Sequence, residues 1–271
     1  MALESNIQKF IQFINNKGIF IYGAGYVADV FFKALKKNKL EKQVKGFLVS
    51  STGNVDEVIH GYLVRTVDEV IIDSKTIICI AVHEIYRKEI EEILFQKGIS
   101  NYIWIYPILY ELYLGNPIKE KEWINIKKII KQQLENYGIA IRWAAIDDYY
   151  GKCQGGFVLY KKAMALHSDY YTAEERTKQF IRLIQMWSNI GYLEEYQISL
   201  DRNYKVIDGE HRLTLALYYG QEKICCKIYK EENIHTNKAI ITKQSLIEGG
   251  FQWDEIMKIE NINQYLESIV L

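Results

Sequence analysis

Five consecutive residues in the second half of the chain combine side-chain types that phosphate chemistry uses. They are Asp208, Gly209, Glu210, His211 and Arg212, and they lie between a predicted strand and a predicted helix. A glycine turn that opens a helix leaves backbone N–H groups free to bind an anion. The imidazole adds a side-chain donor, and the planar guanidinium fits two phosphate oxygens at once. The segment therefore predicts a phosphate-binding turn.

The two carboxylates of this segment have a second use. Asp208 and Glu210 offer oxygen atoms for a metal or a proton, and hard oxygen ligands suit Mg²⁺. The plainer alternative is that Asp208 only caps the helix and that Arg212 is an ordinary surface charge. That alternative leaves His211 unexplained, so phosphate binding, with Mg²⁺ on Asp208 and Glu210, is the preferred interpretation.

A second glycine turn lies near the start of the chain. Gly23 and Gly25 follow a predicted strand and open a helix, with Ala28 three residues later. This order is typical of turns that hold a nucleotide phosphate at a helix N-terminus. A ribose-binding carboxylate is missing, because the next strand ends in the Ser-Ser-Thr of 50–52. Three readings stay open: an NAD(P) site, a site for another nucleotide or nucleotide sugar, and an empty turn.

Other chemically suggestive residues favour ordinary roles. The His-Ser-Asp of 167–169 is more typical of a polar loop than of a triad. His83 follows a predicted strand end and is a weaker ligand-binding candidate. Cys225 and Cys226 have no second pair at zinc spacing, which favours a core strand.

The first half of the chain alternates strand and helix patterns, which predicts a parallel sheet covered by helices. The predicted strands are 19–22, 44–49, 76–82 and 102–105; the predicted helices are 3–17, one ending near 37, 67–73 and 84–97. The segment 107–117 holds both prolines and marks a boundary. Three parts are therefore expected: 1–106, a linker with a bridging helix over 107–138, and 139–271.

The second half has a different pattern. It predicts a bridging helix at 119–136, a helix at 174–189, hairpin strands at 196–200 and 204–207, a helix at 211–219, a strand at 224–229 and a peripheral helical tail at 243–271. The Asp208–Arg212 segment then joins the hairpin to the helix that follows it. An α/β fold with a second, α+β part is the expected class.

Composition restricts the partners. The 34 Lys and Arg residues balance 34 Asp and Glu residues, which argues against nucleic acid and anionic membrane surfaces. No apolar run approaches the ~20 residues of a membrane span. Four cysteines do not make a disulfide scaffold, so a reducing cytoplasm is expected. A small-molecule substrate is the expected partner, and a homo-oligomer is left open.

The residues from about 174 to 229 resemble the ParB/sulfiredoxin superfamily. The resemblance rests on the order and spacing of these pieces: Phe180-Ile181-Arg182-Leu183-Ile184, Gly191-Tyr192, Tyr196-Gln197-Ile198, Val206-Ile207-Asp208-Gly209-Glu210-His211-Arg212 and Ile224. In that superfamily the corresponding turn binds nucleotide phosphates. The resemblance implies that Gly209, His211 and Arg212 hold phosphates, with Asp208 and Glu210 near the reacting end.

Departures from the superfamily narrow the implied activity. Glu210 stands where the sulfinic acid reductases have a cysteine, and the roughly forty residues after 229 show no basic bias towards a DNA-binding element. The free-serine kinases, with Asp-Gly-His-His-Arg, are the most similar. A kinase needs a base near the acceptor hydroxyl. Glu174 and Glu175, at the head of the preceding helix, are the two candidates; the alternative role of both is to favour the helix dipole.

The first 105 residues resemble the small Rossmann-like domains of bacterial sugar-modifying and surface-polysaccharide enzymes. The similar pieces are Ile21-Tyr22-Gly23-Ala24-Gly25, Gly46-Phe47-Leu48-Val49, Val67-Asp68-Glu69-Val70 and Gly98-Ile99. Together the two resemblances imply a phosphotransferase that uses ATP or another nucleoside triphosphate with Mg²⁺. Its acceptor is a small hydroxyl-bearing metabolite, in surface-polysaccharide biosynthesis. The alternatives are a non-catalytic nucleotide sensor or scaffold and an NAD(P)-dependent oxidoreductase.

Overall fold

A computed structural model of the chain describes residues 6–51, 56–82, 86–166, 170–194, 197–230 and 240–270. The fold is mixed α/β, with one parallel-rich sheet and a second, smaller mixed sheet. The chain divides into two compact units, Met1–Asn116 and Pro117–Leu271. In the described ranges no helix combines the length and the apolar composition that crossing a bilayer requires.

Unit 1 is built on six strands in the order β3-β4-β2-β1-β5-β6, parallel except for the two-residue β3. Its elements are α1 Asn6–Ile14, β1 Gly18–Tyr22, α2 Tyr26–Lys37, β2 Val44–Val49, β3 Val58–Ile59, β4 Tyr62–Thr66, β5 Thr76–Ile80, α3 Arg87–Gln96, β6 Tyr102–Trp104 and α4 Leu109–Leu114. The central strands β1 and β5 are buried runs of Ile, Phe, Tyr and Cys, as expected for strands covered on both faces. The predicted strands of this half are confirmed.

Unit 1 contains one hairpin that periodicity did not predict. β3 and β4 pair antiparallel around His60 and Gly61, whose φ angles of 52° and 83° are both positive. Two consecutive positive φ values are typical of the tight turns that match strand twist. The strands are short and half-exposed, so their hydrophobic pattern is weak.

Unit 2 is built on four strands in the order β7-β10-β8-β9. Its elements are β7 Lys119–Asn125, α5 Ile126–Ile130, α6 Gly138–Tyr149, α7 Gly156–Ala165, α8 Tyr170–Ile190, β8 Ile198–Asp201, β9 Val206–Asp208, α9 Glu210–Tyr218, β10 Lys223–Tyr229, α10 Lys243–Glu248 and α11 Trp253–Val270. β10 is parallel to β8 and antiparallel to β7, and β8 pairs antiparallel with β9. The hairpin–turn–helix order predicted around Gly209 is confirmed.

The predicted bridging helix at 119–136 is wrong in its first half. Residues Lys119–Asn125 form β7, an edge strand whose partner β10 lies about a hundred residues later in the chain. Its Lys-Glu-Lys-Glu start is typical of an edge that avoids pairing with other chains. The helical part is limited to the short α5, where Ile126 and Ile130 are buried.

The helical tail is also not peripheral. Ile256, Ile259 and Leu266 of α11 are at most 2% exposed and belong to the core of unit 2. The preceding α6 is buried on nearly every face, so it has no amphipathic period to detect. Cys225 and Cys226 lie buried in β10, as expected for a core strand, and burial raises the pKa of the Cys226 thiol to about 12.

Candidate functional site

The turn between β9 and α9 requires glycine for two reasons. Gly209 has a φ of 103°, which L side chains rarely adopt. A Cβ there would also lie 2.6 Å from Ile198 Cγ2 and 3.2 Å from Arg212 Nη2. The turn therefore places the start of α9 directly after the end of β9.

The first turn of α9 has free backbone donors. Leu213 donates its N–H to the Gly209 carbonyl, whereas the N–H groups of Glu210 and Arg212 have no acceptor in the part of the chain that the structure describes. Free N–H groups and the helix dipole give this end a partial positive charge. The backbone here has the free N–H groups that an anion needs, and the phosphate-binding role of the turn stays a prediction.

Arg212 is held within the turn. Its Nη2 donates to Asp208 Oδ2 at 2.8 Å, and its Nη1 donates to the Gln197 carbonyl at 2.6 Å. The guanidinium therefore ties the start of α9 to β9 and to the entrance of β8. Its predicted role in holding phosphate stays a prediction.

Glu210 turns towards the N-terminal end of α6. Asn136 Nδ2 donates to Glu210 Oε1 at 2.7 Å, and Arg142 Nη1 lies 2.8 Å from Glu210 Oε2. Arg142 Nη1 also donates to the Gly138 carbonyl at 2.8 Å. Arg142 is only 7% exposed, yet its Nε has no hydrogen-bond partner among the residues that the structure describes. A buried donor without an acceptor is rare, and here it lies on the guanidinium that faces α9.

Asn136 and Gly138 complete this cluster. Asn136 Oδ1 accepts from the N–H groups of Gly138 and Ile241, at 3.0 and 3.1 Å. A Cβ at Gly138 would lie 2.8 Å from Arg142 Nη1 and 3.1 Å from Glu210 Oε2. Asn136, Gly138 and Arg142 were absent from the sequence prediction. A signal existed for Arg142, which is one of seven arginines in the chain and interrupts an apolar helix.

His211 packs against α7 and α8. Its Nε2 lies 2.7 Å from the hydroxyl of the fully buried Tyr160, and its ring meets that of Phe180 edge-on with centroids 4.7 Å apart. Burial raises the pKa of Tyr160 to about 12, so the phenol keeps its proton; the tautomer of the imidazole sets which of the two groups donates the hydrogen bond.

Arg176 is a further cation near this pair. It lies on α8 one turn before Phe180, so both side chains share a helix face, and its positive charge acts to lower the pKa of Tyr160. No acceptor pairs with Arg176 within the described ranges. The sequence prediction did not include it.

Glu174, the predicted base, forms an ion pair with Lys161 Nζ at 2.5 Å. The hydrogen bond from Lys161 lowers the pKa of Glu174, which makes the carboxylate a weaker proton acceptor. Its catalytic role stays a prediction.

The donor set around Gly209 fits an anion better than a cation. Asp208 and Glu210 face different arginines, and no group of three or more His, Cys, Asp or Glu side chains in the described ranges could hold a metal ion. The metal role assigned to Asp208 and Glu210 from the sequence stays a prediction.

The glycine turn of unit 1 is explained largely by packing. Gly23 has a φ of 127°, and a Cβ there would lie 2.6 Å from the Ala81 carbonyl oxygen. Gly25 precedes α2 and has nothing within 4 Å of a Cβ position, so space for a ligand exists there. Ser50, at the ribose-binding position, bonds the hydroxyl of Tyr22 at 2.8 Å. The roles of Gly23 and Gly25 in NAD(P) or nucleotide binding stay predictions.

A cavity of about 460 Å³ lies elsewhere in unit 1. It is lined by segments that precede β5 and β6, among them Asp73, Ser74, Lys97 and Asn101. Gly23 and Gly25 follow β1, at the opposite edge of the parallel sheet. His83 and 167–169 lie outside the described residues.

Comparisons of the chain with protein-family models, with curated proteins and with solved structures find no match.

Proposed function

We propose that this protein binds the phosphate of a nucleotide-like small molecule at the first turn of α9. The observation that carries the proposal is Arg142, whose buried guanidinium lies at this turn with its Nε unpartnered. A phosphate oxygen is the kind of acceptor that satisfies such a donor. The free N–H groups of α9 supply the remaining hydrogen bonds.

The local charges favour the same ligand. Asp208 is compensated by Arg212, and Glu210 by Arg142. Arg176 then adds a positive charge that no described carboxylate matches. The turn therefore attracts an anion although its own sequence contains two carboxylates. The resemblance of 206–212 to nucleotide-phosphate-binding turns supports a nucleotide over other phosphates.

The test is equilibrium binding of phosphate, AMP, ADP, ATP and CTP to the full chain, measured by calorimetry. We expect binding that weakens with salt. Gly209→Ala should lower the affinity by about tenfold or more, because the strained φ and the contact with Ile198 displace the start of α9.

Gly220→Ala is the matched control. Gly220 follows α9 with a φ of 72°, but nothing lies within 4 Å of its Cβ position. The Gly220→Ala variant has similar backbone strain at a place away from the turn, so it should bind the ligands with wild-type affinity. Failure of the wild type to bind any of these ligands would overturn the proposal.

Phosphotransfer to a hydroxyl is the second candidate function. The observation that favours it is the hydrogen bond of 2.7 Å between His211 Nε2 and the Tyr160 hydroxyl. In the tautomer whose Nε2–H donates to the phenol, Nδ1 holds the lone pair that takes the proton from an acceptor hydroxyl. Turnover of ATP with hydroxyl-bearing metabolites, lost in His211→Gln, would support it; nucleotide binding without turnover supports binding alone.

A further inference from the structure

The hydrogen bond between Tyr160 and His211 determines which nitrogen of the imidazole carries the proton. The Tyr160 side chain is fully buried, and its hydroxyl lies 2.7 Å from His211 Nε2. Among the residues that the structure describes, this nitrogen is the only hydrogen-bond partner of the hydroxyl. A phenol has one proton to donate, and a buried donor without an acceptor is costly. The hydroxyl must therefore donate to Nε2.

The protonation states of the imidazole differ in whether Nε2 can accept this proton. A neutral ring protonated on Nε2 and a doubly protonated ring both have an N–H at that nitrogen. In both states Nε2 donates to the phenol oxygen, and the phenol proton then has no acceptor in the described ranges. Only the neutral ring that is protonated on Nδ1 has a lone pair on Nε2. That state satisfies both groups with one hydrogen bond.

Aromatic packing holds the two side chains in this arrangement. The centroid of the Phe180 ring lies 5.0 Å from that of Tyr160 and 4.7 Å from that of His211. A half-turn of the imidazole about its Cβ–Cγ bond would put a carbon in the place of Nε2 and leave the phenol without an acceptor. Hydrogen-bond partners are what distinguish the two ring orientations of a histidine. The Tyr160 hydroxyl therefore selects the orientation of the ring as well as the position of its proton.

We infer that Tyr160 is a positioning residue, which fixes the neutral His211 imidazole as the tautomer with its proton on Nδ1. The one lone pair of the ring then faces the phenol, and the nitrogen nearer to the α9 backbone is a donor. His211 is thus a hydrogen-bond donor of the α9 turn and has no lone pair with which to act as a general base. The donor role rests on the proposed function, whereas the tautomer is a property of the chain without ligand. The inference decides against phosphotransfer through His211.

The experiment is a long-range ¹H–¹⁵N correlation spectrum of the ¹⁵N-labelled full chain without ligand, recorded at and above neutral pH. Protonated and unprotonated ring nitrogens resonate far apart, so the spectrum shows which nitrogen of each imidazole carries the proton. The chain has five histidines, and the signals lost in His211→Gln identify those of His211. We expect the shift of a protonated nitrogen at Nδ1 and that of an unprotonated one at Nε2. A protonated Nε2, in a neutral or a cationic ring, would overturn the inference.

Tyr160→Phe tests whether the phenol sets the tautomer. It removes the donor with little change of volume, so the two nitrogen shifts of His211 should move towards each other as the Nε2–H form becomes populated. Tyr192→Phe is the matched control, because the Tyr192 hydroxyl is also hydrogen-bonded, to the Cys225 N–H at 3.0 Å. The control should leave the His211 shifts unchanged. Unchanged His211 shifts in a Tyr160→Phe protein that circular dichroism shows to be folded would overturn the role of Tyr160.

The spectrum is independent of the proposed function, because it needs no ligand. If Nδ1 carries the proton and the wild type binds no phosphate ligand by calorimetry, the proposed function fails and the positioning role of Tyr160 stands. If the wild type binds phosphate ligands and Nε2 carries the proton, the proposed function stands and this inference is overturned. Should Tyr160→Phe fail to fold, the wild-type spectrum still decides the tautomer.

Discussion

Pairing with arginine determines what the two carboxylates near Gly209 can do. Asp208, the last residue of β9, bonds Arg212 on α9, and Glu210 bonds Arg142 on α6. Each carboxylate is compensated and does not repel an approaching phosphate. The same pairing occupies Asp208 Oδ2 and Glu210 Oε2, and the metal role of the two carboxylates stays a prediction. The residue types alone are compatible with both roles, and only their partners distinguish them.

The buried pair of Arg142 and Glu210 gives a stability prediction. Arg142→Met leaves the Glu210 carboxylate without its cation, and we expect the free energy of unfolding to fall by about 3 kcal/mol. Adding Glu210→Gln to that variant should recover part of the loss, because a neutral amide replaces the uncompensated charge. Urea unfolding of the two single variants and the double variant measures this coupling.

Arg87 and Glu91 provide the matched control for that cycle. They form an exposed pair four residues apart on α3. Arg87→Met should cost no more than about 1.5 kcal/mol, the usual contributions of such a helix pair and of the contact between Arg87 and the Trp104 ring. Equal losses from Arg87→Met and Arg142→Met would show that burial adds nothing to the Arg142 pair.

At this scale the sequence could predict some site residues and not others. Gly209 and its neighbours are adjacent in the chain, so their chemistry is visible as a motif. Asn136 and Arg142 are about seventy residues away from Glu210, and only the packing of α6 against α9 brings them there. No local pattern contains that information.

Among the elements, those with a local period were predictable. The burial of β1 and β5 and the amphipathic face of α8 follow from strand and helix periods and are confirmed. The sequence predicts a helix at β7 because the strand depends on pairing with the distant β10, which no local pattern shows. α6 and α7 were missed because much of their surface is buried, which leaves little contrast between faces.

The packing of α6 against α7 predicts the sign of the change in stability that Gly156→Ala causes. Gly156, the first residue of α7, is so close to α6 that a Cβ would lie 1.9 Å from the Ala144 carbonyl oxygen. Helix propensity alone predicts that Gly156→Ala stabilises the protein by about 1 kcal/mol. We expect the opposite, a loss of about 2 kcal/mol, because the helices must separate. The free energy of unfolding, measured with urea, decides whether the variant is more or less stable than the wild type.

Gly156→Ala should also weaken phosphate binding, since α6 carries Arg142 and α7 carries Tyr160. Gly151→Ala is the comparison variant. Gly151 lies between the same two helices, with a φ of 69° and nothing within 4 Å of a Cβ position. It should cost stability through backbone strain alone and leave the affinity unchanged. A stabilised Gly156→Ala protein would contradict the close packing of these helices.

For the molecule as a whole, the two units have separate cores. The buried cluster of unit 2 extends from Ile124 to Leu266, and the two clusters of unit 1 lie between Phe10 and Leu112. All the residues assigned to phosphate binding belong to unit 2. We therefore expect a fragment of residues 117–271 to unfold cooperatively and to bind phosphate ligands within roughly twofold of the full-chain affinity.

The complementary fragment, residues 1–116, shows which of the two glycine turns binds phosphate. It contains Gly23 and Gly25 but none of the arginines placed at α9, so the α9 site predicts that it does not bind pyrophosphate. Calorimetric titration of both fragments and the full chain measures this directly. If binding were found in residues 1–116 and not in 117–271, the turn after β1 would be the phosphate site. If both fragments were folded and only the full chain bound, ligand binding would require both units.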